Sequence, residues 1–477
     1  MYKRIVVILI GIFVLFVFIS VRVMFAEEII EKEKQEAIRA LTIEDFIELA
    51  AANDKEFEAI LIDELKLQYE KDLDLPARDL ILEVKMEYDY FLKQDRSGRE
   101  TTLGLSKLFP MIGTSVTAEY SVAPSFTSTT DSSDFSVYIT QPIARNAFGK
   151  ATRLHDKIIG IEIDVARHQI VEAYEDYLAT IISAYYDWYE AYENLKVAES
   201  SYNENLKLLD NIKERQESKI ALPIDVNKIK LQVLSKKETL ITSQEEYENY
   251  LNTVKTAIRY EDSKELIPVN PLLYSDKEVS FDADFSKLRE AGRTFQVLKL
   301  LEEKSSLDVK KSADDLLPSI DLLIGYEING DYYDLQRKDT MAYTGLTMEF
   351  PFPDQVDRAE YNVDKIEEQE ARLYSNNVYY QLYRDIKNLA LVIQREKDLI
   401  QIADEKVATA EAILEDESKN YTYGKVSLND YIDAVNDLDT NRFNKIYHEL
   451  QLKRAKVEWL RLTDKLISKK DILEKGN

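Results

Sequence analysis

The chain contains no cysteine, and its 477 residues include only 12 glycines, 10 prolines and three histidines. The absence of cysteine excludes a disulfide framework and thiolate metal sites. The scarcity of glycine and proline favours long helices over many loops. The histidines, His155, His168 and His448, are scattered without the spacing of metal ligands. We therefore predict a largely helical chain that holds no metal and no cofactor.

Basic residues are also in deficit, with 62 against 88 acidic residues and a formal net charge of −26. Nucleic-acid binding needs basic patches, so this balance argues against a nucleic-acid partner. The ordinary explanation is that the charge keeps a large exposed helical surface in solution. The sequence shows no nucleophile–base grouping, phosphate-binding loop or metal-ligand cluster, and we therefore do not predict an enzyme.

Long apolar runs are confined to the N-terminus. Met1–Arg4 is basic and Ile5–Ser20 is mostly apolar, which together with Ala26 is typical of a secretory signal peptide at residues 1–26. Met24 stands where a small residue is expected, so an uncleaved signal anchor is the alternative. Both interpretations export the remainder of the chain. Because no later stretch has the roughly 20 apolar residues of a membrane helix, further membrane insertion would have to use strands.

Two short stretches interrupt long runs of coiled-coil heptads. In the second half the break is at Gly424, and Ser427 then offers a helix N-cap, with Asp430 supplying early negative charge. In the first half Pro223 fits the first turn of a returning helix, and Asp225 takes the place of Asp430. Each stretch therefore predicts the tip of a helical hairpin, and the chain is predicted to be two copies of one unit.

Before each hairpin the apolar period changes from that of a helix to that of a strand. Apolar residues recur at every second position in residues 82–90, 135–140, 320–328 and 346–352. Strands of about ten residues can cross a membrane when tilted, while a soluble sheet with one wet face is the alternative. Roughly four to six strands per chain cannot close a barrel, and lipid does not tolerate an open sheet edge. Membrane-spanning strands would therefore have to be pooled by several chains.

The predicted fold class is a duplicated α+β unit in which each copy has a short helix, strands and a long coiled-coil hairpin. The short helices are expected over Ile43–Leu73 and Phe285–Leu316. The predicted segments are a signal peptide at residues 1–26, a first repeat at 41–262 with strands at 77–142 and a hairpin at 150–262, a linker at 263–284, a second repeat at 285–466 with strands at 318–352 and a hairpin at 355–466, and a C-terminal tail at 467–477.

This arrangement resembles the TolC family of outer membrane efflux proteins, from about Leu41 to Leu466. The resemblance is carried by the duplicated unit and by short motifs that close the strand regions and form the tips, namely Gln141-Pro142-Ile143, Phe350-Pro351-Phe352, Tyr421-x-x-Gly424 and Asp430-x-x-Asp433-Ala434. It implies a homotrimer in a Gram-negative type envelope. Its pooled strands would form a transmembrane β-barrel in outer membrane lipid, and its hairpins would form a periplasmic α-helical barrel.

The function that the resemblance implies is passive exit of small molecules, or of secreted proteins in type I secretion. A periplasmic adaptor, also called a membrane fusion protein, would contact the hairpin tips and link the channel to an energised inner-membrane pump. The residues expected at this contact are Lys219, Leu222, Pro223, Gly424, Val426 and Ser427. The alternative is an exported coiled-coil protein with a structural or tethering role and no channel.

The resemblance also implies a gate at the periplasmic mouth. Asp430 and Asp433 match two acidic residues that line the mouth in the family, and Tyr421 matches a tyrosine that helps to hold it closed. Asp225 matches an acidic partner on the first tip. Threefold symmetry would turn each aspartate into a ring of like charges that favours cations. The alternative for each residue is a capping or solvated helix residue, and for Asp225 the two interpretations are equally weighted.

The sequence departs from the family pattern at three places. Val426 stands where the best-known member has an arginine that closes the mouth, and Lys219 stands where a glycine is common. Two extra short strands are predicted within residues 101–122, divided by the segment from Phe109 to Gly113. The insertion leaves the number of strands per protomer open.

Overall fold

A computed structural model describes residues 38–53, 55–92, 96–123, 132–261, 264–271, 279–331 and 334–467. The predicted signal peptide and all but the first residue of the predicted tail lie outside these ranges. The chain divides into two compact units, each built from separate stretches of sequence. The first, called here the tip unit, comprises the described residues up to Ala59, Tyr174–Phe285 and those from Asp385 onward. The second, called the sheet unit, comprises Ile60–Ala173 and Ser286–Arg384.

Long helices dominate the described chain, in keeping with its shortage of glycine and proline. In chain order the helices are α1 (Ile43–Asn53), α2 (Lys55–Lys66), α3 (Glu70–Asp74), α4 (Lys150–Glu217), α5 (Pro223–Ala257), α6 (Phe281–Ala291), α7 (Arg293–Asp315), α8 (Gln355–Thr422) and α9 (Leu428–Leu462). Within the described ranges, none of these helices is both long and apolar enough to cross a membrane.

The two hairpins have matching dimensions. The outgoing helices α4 and α8 each contain 68 residues, and the return helices α5 and α9 each contain 35. The two turns fall at the predicted tips, between Glu217 and Pro223 and between Thr422 and Leu428. The duplication of the hairpin that was predicted from the sequence is therefore confirmed in the backbone.

The short helices that precede the strands were predicted to be continuous, but the structure shows that they are broken. The helix expected over Ile43–Leu73 is interrupted by a turn at residues 67–69, between α2 and α3. In the second half Gly292 separates α6 from α7 and adopts an extended conformation, with φ −68° and ψ 146°. Glycine has a low helix propensity, which explains an interruption at this position. The prediction of single helices at both places is therefore wrong.

The strands form two sheets. They are β1 (Ile38–Leu41), β2 (Leu80–Phe91), β3 (Arg96–Phe109), β4 (Thr114–Ala123), β5 (Ser132–Pro142), β6 (Glu265–Pro268), β7 (Ser319–Asp331) and β8 (Asp334–Glu349). In the tip unit β1 and β6 make a parallel pair. In the sheet unit six strands form an antiparallel sheet in the order β2-β3-β4-β5-β7-β8. The predicted insertion is thus a full hairpin, β3–β4, in the interior of the sheet.

The β1–β6 pair of the tip unit is fixed to helix α4 by a buried tyrosine. The Tyr185 hydroxyl donates to the Leu41 carbonyl at 2.7 Å and accepts from the Val269 N–H at 2.9 Å. Its ring packs against Phe46 and edge-on against Trp188, with ring centroids 5.8 and 5.7 Å away. Because burial disfavours the charged form, the pKa of Tyr185 is raised and the hydroxyl stays a neutral donor.

Candidate functional site

The turn of the second hairpin depends on one glycine. Gly424 has φ +70°, a conformation that residues with a side chain adopt at a cost. Its N–H donates to the Tyr421 carbonyl at 3.0 Å, and the Lys425 N–H donates to the Asn420 carbonyl at 2.9 Å. These bonds satisfy carbonyls that the helix end would leave free. A Cβ at Gly424 would meet no atom within 4 Å, so the backbone conformation, not space, selects glycine here.

The return helix α9 begins with a complete capping box. The Ser427 hydroxyl accepts from the Asp430 N–H at 3.3 Å, and the Asp430 carboxylate accepts from the Ser427 N–H at 3.0 Å and from its hydroxyl at 2.8 Å. This is the reciprocal arrangement that the Ser-x-x-Asp spacing indicates. The bonds from the Ser427 side chain and backbone hold the pKa of Asp430 below its usual value. The carboxylate is therefore a charged capping group.

The first hairpin makes the same turn with different residues. Lys219 adopts φ +58° without being a glycine. Its N–H donates to the Gln216 carbonyl at 2.9 Å, which closes the end of α4. At the start of α5, Leu222 has no side-chain acceptor to offer, and Pro223 follows it. The Asp225 carboxylate accepts from the Leu222 N–H at 3.1 Å. Asp225 thus supplies half of the capping box that Ser427 and Asp430 complete at the other tip.

Tyr421 joins the two hairpins just before the second turn. Its ring stacks on Tyr431 of α9 with centroids 5.8 Å apart, and the Arg215 guanidinium of α4 lies 4.9 Å from the ring centroid. Burial raises the pKa of Tyr421, with Asp225 adding to the rise and Arg215 opposing it. The hydroxyl is therefore neutral at physiological pH. Among the gate residues inferred from the sequence, Tyr421 is the one held by residues of both hairpins.

An apolar cluster lies directly behind the tips. It combines residues of α4, α5 and α9, namely Leu208, Leu209, Ile212, Ile229, Val233 and Leu428. Partly buried side chains that include Tyr421 and Tyr431 pack against it. The two tips are consequently parts of one packed structure within the tip unit, because residues of both hairpins share this cluster.

The return helices are also linked by polar contacts that the sequence analysis missed. Lys228 donates to Asn429 at 3.1 Å and Gln232 donates to Asn436 at 2.7 Å. Lys236 lies 2.6 Å from the carboxylate of Asp439, which is 4% exposed. Ser201 of α4 donates to the same carboxylate. The apolar spacing of α9 slips after Leu438, which indicates that Asp439 takes a core position but does not identify its partners.

Asp433 and most of the remaining tip residues are exposed to solvent. Asp433 follows Asp430 by three residues, so both exposed carboxylates lie on one face of α9. Within the described residues no hydrogen bond or ion pair of the Asp433 side chain is found. Of the positions predicted for adaptor contact, Val426 is half-buried, and Lys219, Leu222, Pro223, Gly424 and Ser427 are exposed.

The first tip carries more exposed apolar surface than the sequence analysis assigned to it. Leu222 is 63% exposed, and Ile220 and Ile224 on either side of it are also exposed. At the second tip the exposed large side chain is Tyr423. The first tip therefore presents three exposed apolar side chains on one turn.

Comparison with known proteins gives matches to solved structures only. No protein-family model matches the chain, and no curated protein matches it in sequence. The structure of CusC, described with the conformational changes that accompany folding and transmembrane channel formation, has a TM-score of 0.71 at 12% identity and covers 88% of this chain and 91% of that chain. The CmeC outer membrane channel of Campylobacter jejuni has a TM-score of 0.69 at 14% identity, covering 91% of this chain and 89% of that chain.

A third similar structure is the open state of the MtrE outer membrane channel of Neisseria gonorrhoeae. Its TM-score is 0.63 at 12% identity, and it covers 89% of both chains. At these identities the likeness establishes the fold. The resemblance to the TolC family and the predicted α+β fold class, with its long helices and sheet, are confirmed at that level.

Proposed function

We propose that this chain is an outer membrane exit duct that works as a homotrimer and gives small molecules or secreted proteins passive passage. The observation that carries the proposal is the fold, which is shared with outer membrane channels over 88% or more of the chain. The sequence adds a predicted signal peptide, which would export the chain from the cytoplasm. An active site is not part of the proposal.

The six-stranded sheet itself has features that support a membrane location for its strands. The β2 side chains Leu82, Val84, Met86 and Tyr88 are exposed and lie on one face, because alternate residues of a strand point the same way. Exposing such a face to water is unfavourable, and the hydrocarbon of a membrane would remove it from water. The end strands β2 and β8 each pair on one side only among the described strands. Since lipid does not tolerate open edges, a second copy would have to pair with them.

The helices support assembly into a trimer. On α8 the exposed side chains Ile366, Leu373 and Tyr380 recur every seven residues, which is the spacing of a coiled-coil seam. On α5 Leu231, Leu234 and Ile241 are also exposed. Apolar surface of this kind on long helices is stabilised by packing against other helices. Neighbouring copies of the chain would supply those helices in an α-helical barrel.

The hairpin tips would serve as both the partner-binding surface and the gate. A periplasmic adaptor would bind the exposed tips and connect the duct to an energised inner-membrane pump, with the hairpins in the periplasm. Asp430 and Asp433 would line the mouth, Tyr421 would help to hold it closed, and Asp225 would be their acidic partner on the first tip. The capping bonds of Asp430 and Asp225 do not exclude these roles, because both carboxylates retain unbonded oxygen lone pairs.

Light scattering on the protein extracted from membranes tests the proposal. We expect a trimer that needs detergent to stay in solution, and that conducts ions after insertion into planar bilayers. A water-soluble monomer or dimer would favour the alternative, an exported coiled-coil tether, because a tether has no need of a pooled sheet. Extraction in high salt without detergent provides the control for peripheral attachment.

A further inference from the structure

The inserted hairpin β3–β4 is an integral part of the sheet. Strand β3 pairs with β2 from Leu80↔Lys107 to Phe91↔Arg96, and β4 pairs with β5 from Ser115↔Thr140 to Ala123↔Ser132. The hairpin is therefore bonded along its length on both sides, and it separates β2 from β5. Removing it from the sheet would break both ladders.

The apolar face of the sheet continues across the inserted strands. The register places Leu82 opposite Leu105 and Leu105 opposite Ala118. Ala118 is in turn opposite Val137, and Val137 is opposite Tyr326. Cross-strand partners share a face, so this row is apolar from β2 to β7. The inserted strands thus present the same kind of surface to lipid as the strands around them.

The inner turn of the inserted hairpin is docked against the start of α4. Arg153 donates to the Met111 carbonyl at 2.6 Å, and Gln141 donates to the Ile112 carbonyl at 3.1 Å. A Cβ at Gly149 would lie 2.5 Å from the Met111 carbonyl oxygen, so glycine is what permits the approach. These contacts hold the turn of the inserted hairpin against the start of α4, at the end of the sheet where β5 leads into that helix.

Both end strands are suited to pair with another copy of the chain. Because the six strands alternate in direction, β2 and β8 run antiparallel to each other. The β8 strand of one copy can therefore pair antiparallel with β2 of the next copy. Leu346 and Met348 on β8 lie on the apolar face, as Leu82 and Val84 do on β2. The apolar surface would be continuous across such a junction.

We propose that three copies close an eighteen-stranded barrel, six strands from each, with an acid-lined interior. This inference rests on the proposed trimeric duct and deepens it. A barrel of this size leaves an aqueous channel, and an even strand number suits an antiparallel membrane barrel. The inserted hairpin then makes the pore wider than a barrel without it would be, because it adds two strands per copy.

The polar face of the sheet gives the proposed pore its charge. Alternation places on this face the acidic residues Glu83, Glu87, Asp89, Glu100, Glu119, Asp134, Asp321, Glu327 and Glu349. Among the described side chains Lys85 is the single base on that face, and it is paired with Glu87 at 2.9 Å. Glu87 and Glu100 lie directly opposite each other despite their like charge. Acidic side chains that line a pore attract cations and repel anions.

Electron cryomicroscopy of the detergent-extracted full-length trimer tests the strand number directly. We expect eighteen strands in the barrel. Twelve strands, with β3–β4 outside the wall, would overturn this inference and leave the proposed duct intact. A soluble chain without a barrel would overturn both, so the two failures are distinguishable.

Cysteine cross-linking tests the junction between copies, since the chain has no cysteine of its own. A cysteine at Val84 should form an intermolecular disulfide with a cysteine at one of the apolar-face positions of β8, scanned from Ala342 to Met348. A cysteine at Val137 in the interior strand β5 is the matched control and should not cross-link to Val84→Cys. Cross-linking through β5 and none through β8 would overturn the proposed junction.

The acid lining is tested by a triple variant, Glu83→Gln with Glu119→Gln and Glu327→Gln. Reversal potentials in a salt gradient should show a severalfold fall in the preference for cations over anions. The Asp430→Asn/Asp433→Asn double variant separates this effect from that of the tips. An unchanged preference in the triple variant, in a protein that still inserts and conducts, would overturn the acid lining.

Discussion

The two hairpin tips have the same backbone plan and different chemistry. Both join a 68-residue helix to a 35-residue helix, and both turn through a residue with positive φ. The second tip uses Gly424 and a complete capping box, while the first uses Lys219 and half a box. The first tip instead exposes Leu222 and its apolar neighbours. The two tips thus share a backbone plan, while the second completes its own capping hydrogen bonds and the first exposes apolar side chains.

The contrast extends along the return helices. Counting from the capping aspartates, Asp439 in α9 corresponds to Leu234 in α5. Asp439 is buried and paired with Lys236, whereas Leu234 is 55% exposed. The exposed leucine faces away from the cluster shared by the hairpins, and it is available to another copy of the chain. Equivalent positions therefore serve different interfaces, one within the chain and one proposed between chains.

Replacing Asp439 should have the largest effect on stability. Asp439→Ala would leave the partly buried Lys236 ammonium without its carboxylate, and the cost of about 3 to 5 kcal/mol for breaking a fully buried pair is the upper bound. The urea unfolding midpoint of the extracted protein measures the loss. Asp437→Ala, which removes an exposed acid two residues away, is the control and should stay within about 0.5 kcal/mol of the wild type. Equal effects of the two variants would refute the structural role of the buried pair.

That pair also marks the limit of what the sequence could predict. The capping box was predictable because Ser427 and Asp430 are three residues apart, and the strands were predictable because their apolar residues alternate. The Lys236–Asp439 pair joins residues about 200 positions apart, and no local pattern encodes such a contact. The breaks between α2 and α3 and at Gly292 were missed because apolar residues continue across them. The six-strand count needed the register of β3 and β4, which the sequence did not determine.

The turn residues should respond with opposite signs at the two tips. Gly424→Ala forces a side chain into positive φ and should cost about 1 kcal/mol. Lys219→Gly relieves that strain at φ +58° and should stabilise by a similar or smaller amount. Thermal unfolding of the two variants side by side measures the difference. A destabilised Lys219→Gly variant would show that the lysine side chain contributes contacts that compensate for its backbone conformation.

The complete capping box should make the stability of the second tip depend on pH in the acidic range. Because the pKa of Asp430 is lowered in the folded chain, its contribution to stability is present above its ordinary pKa of about 3.9 and is lost as pH falls through the lowered value. Asp430→Asn should remove this part of the stability curve, and Ser427→Ala should reduce it, because the hydroxyl bond is lost while the backbone N–H bond remains. Unfolding midpoints from pH 7 down to pH 2 measure the dependence. Curves of wild type and Asp430→Asn that run parallel would contradict it.

The smallest effect on stability is expected for Asp433, and this variant separates capping from gating. Asp433→Asn changes an exposed carboxylate for which no partner is found among the described residues, so stability should stay within about 0.5 kcal/mol. If the proposed mouth is correct, the same variant lowers cation preference in planar bilayers, because a ring of three charges is lost. Asp430→Asn should change both properties, since that carboxylate caps α9 and faces solvent. A conductance and selectivity equal to those of the wild type in Asp433→Asn would exclude Asp433 from the proposed mouth.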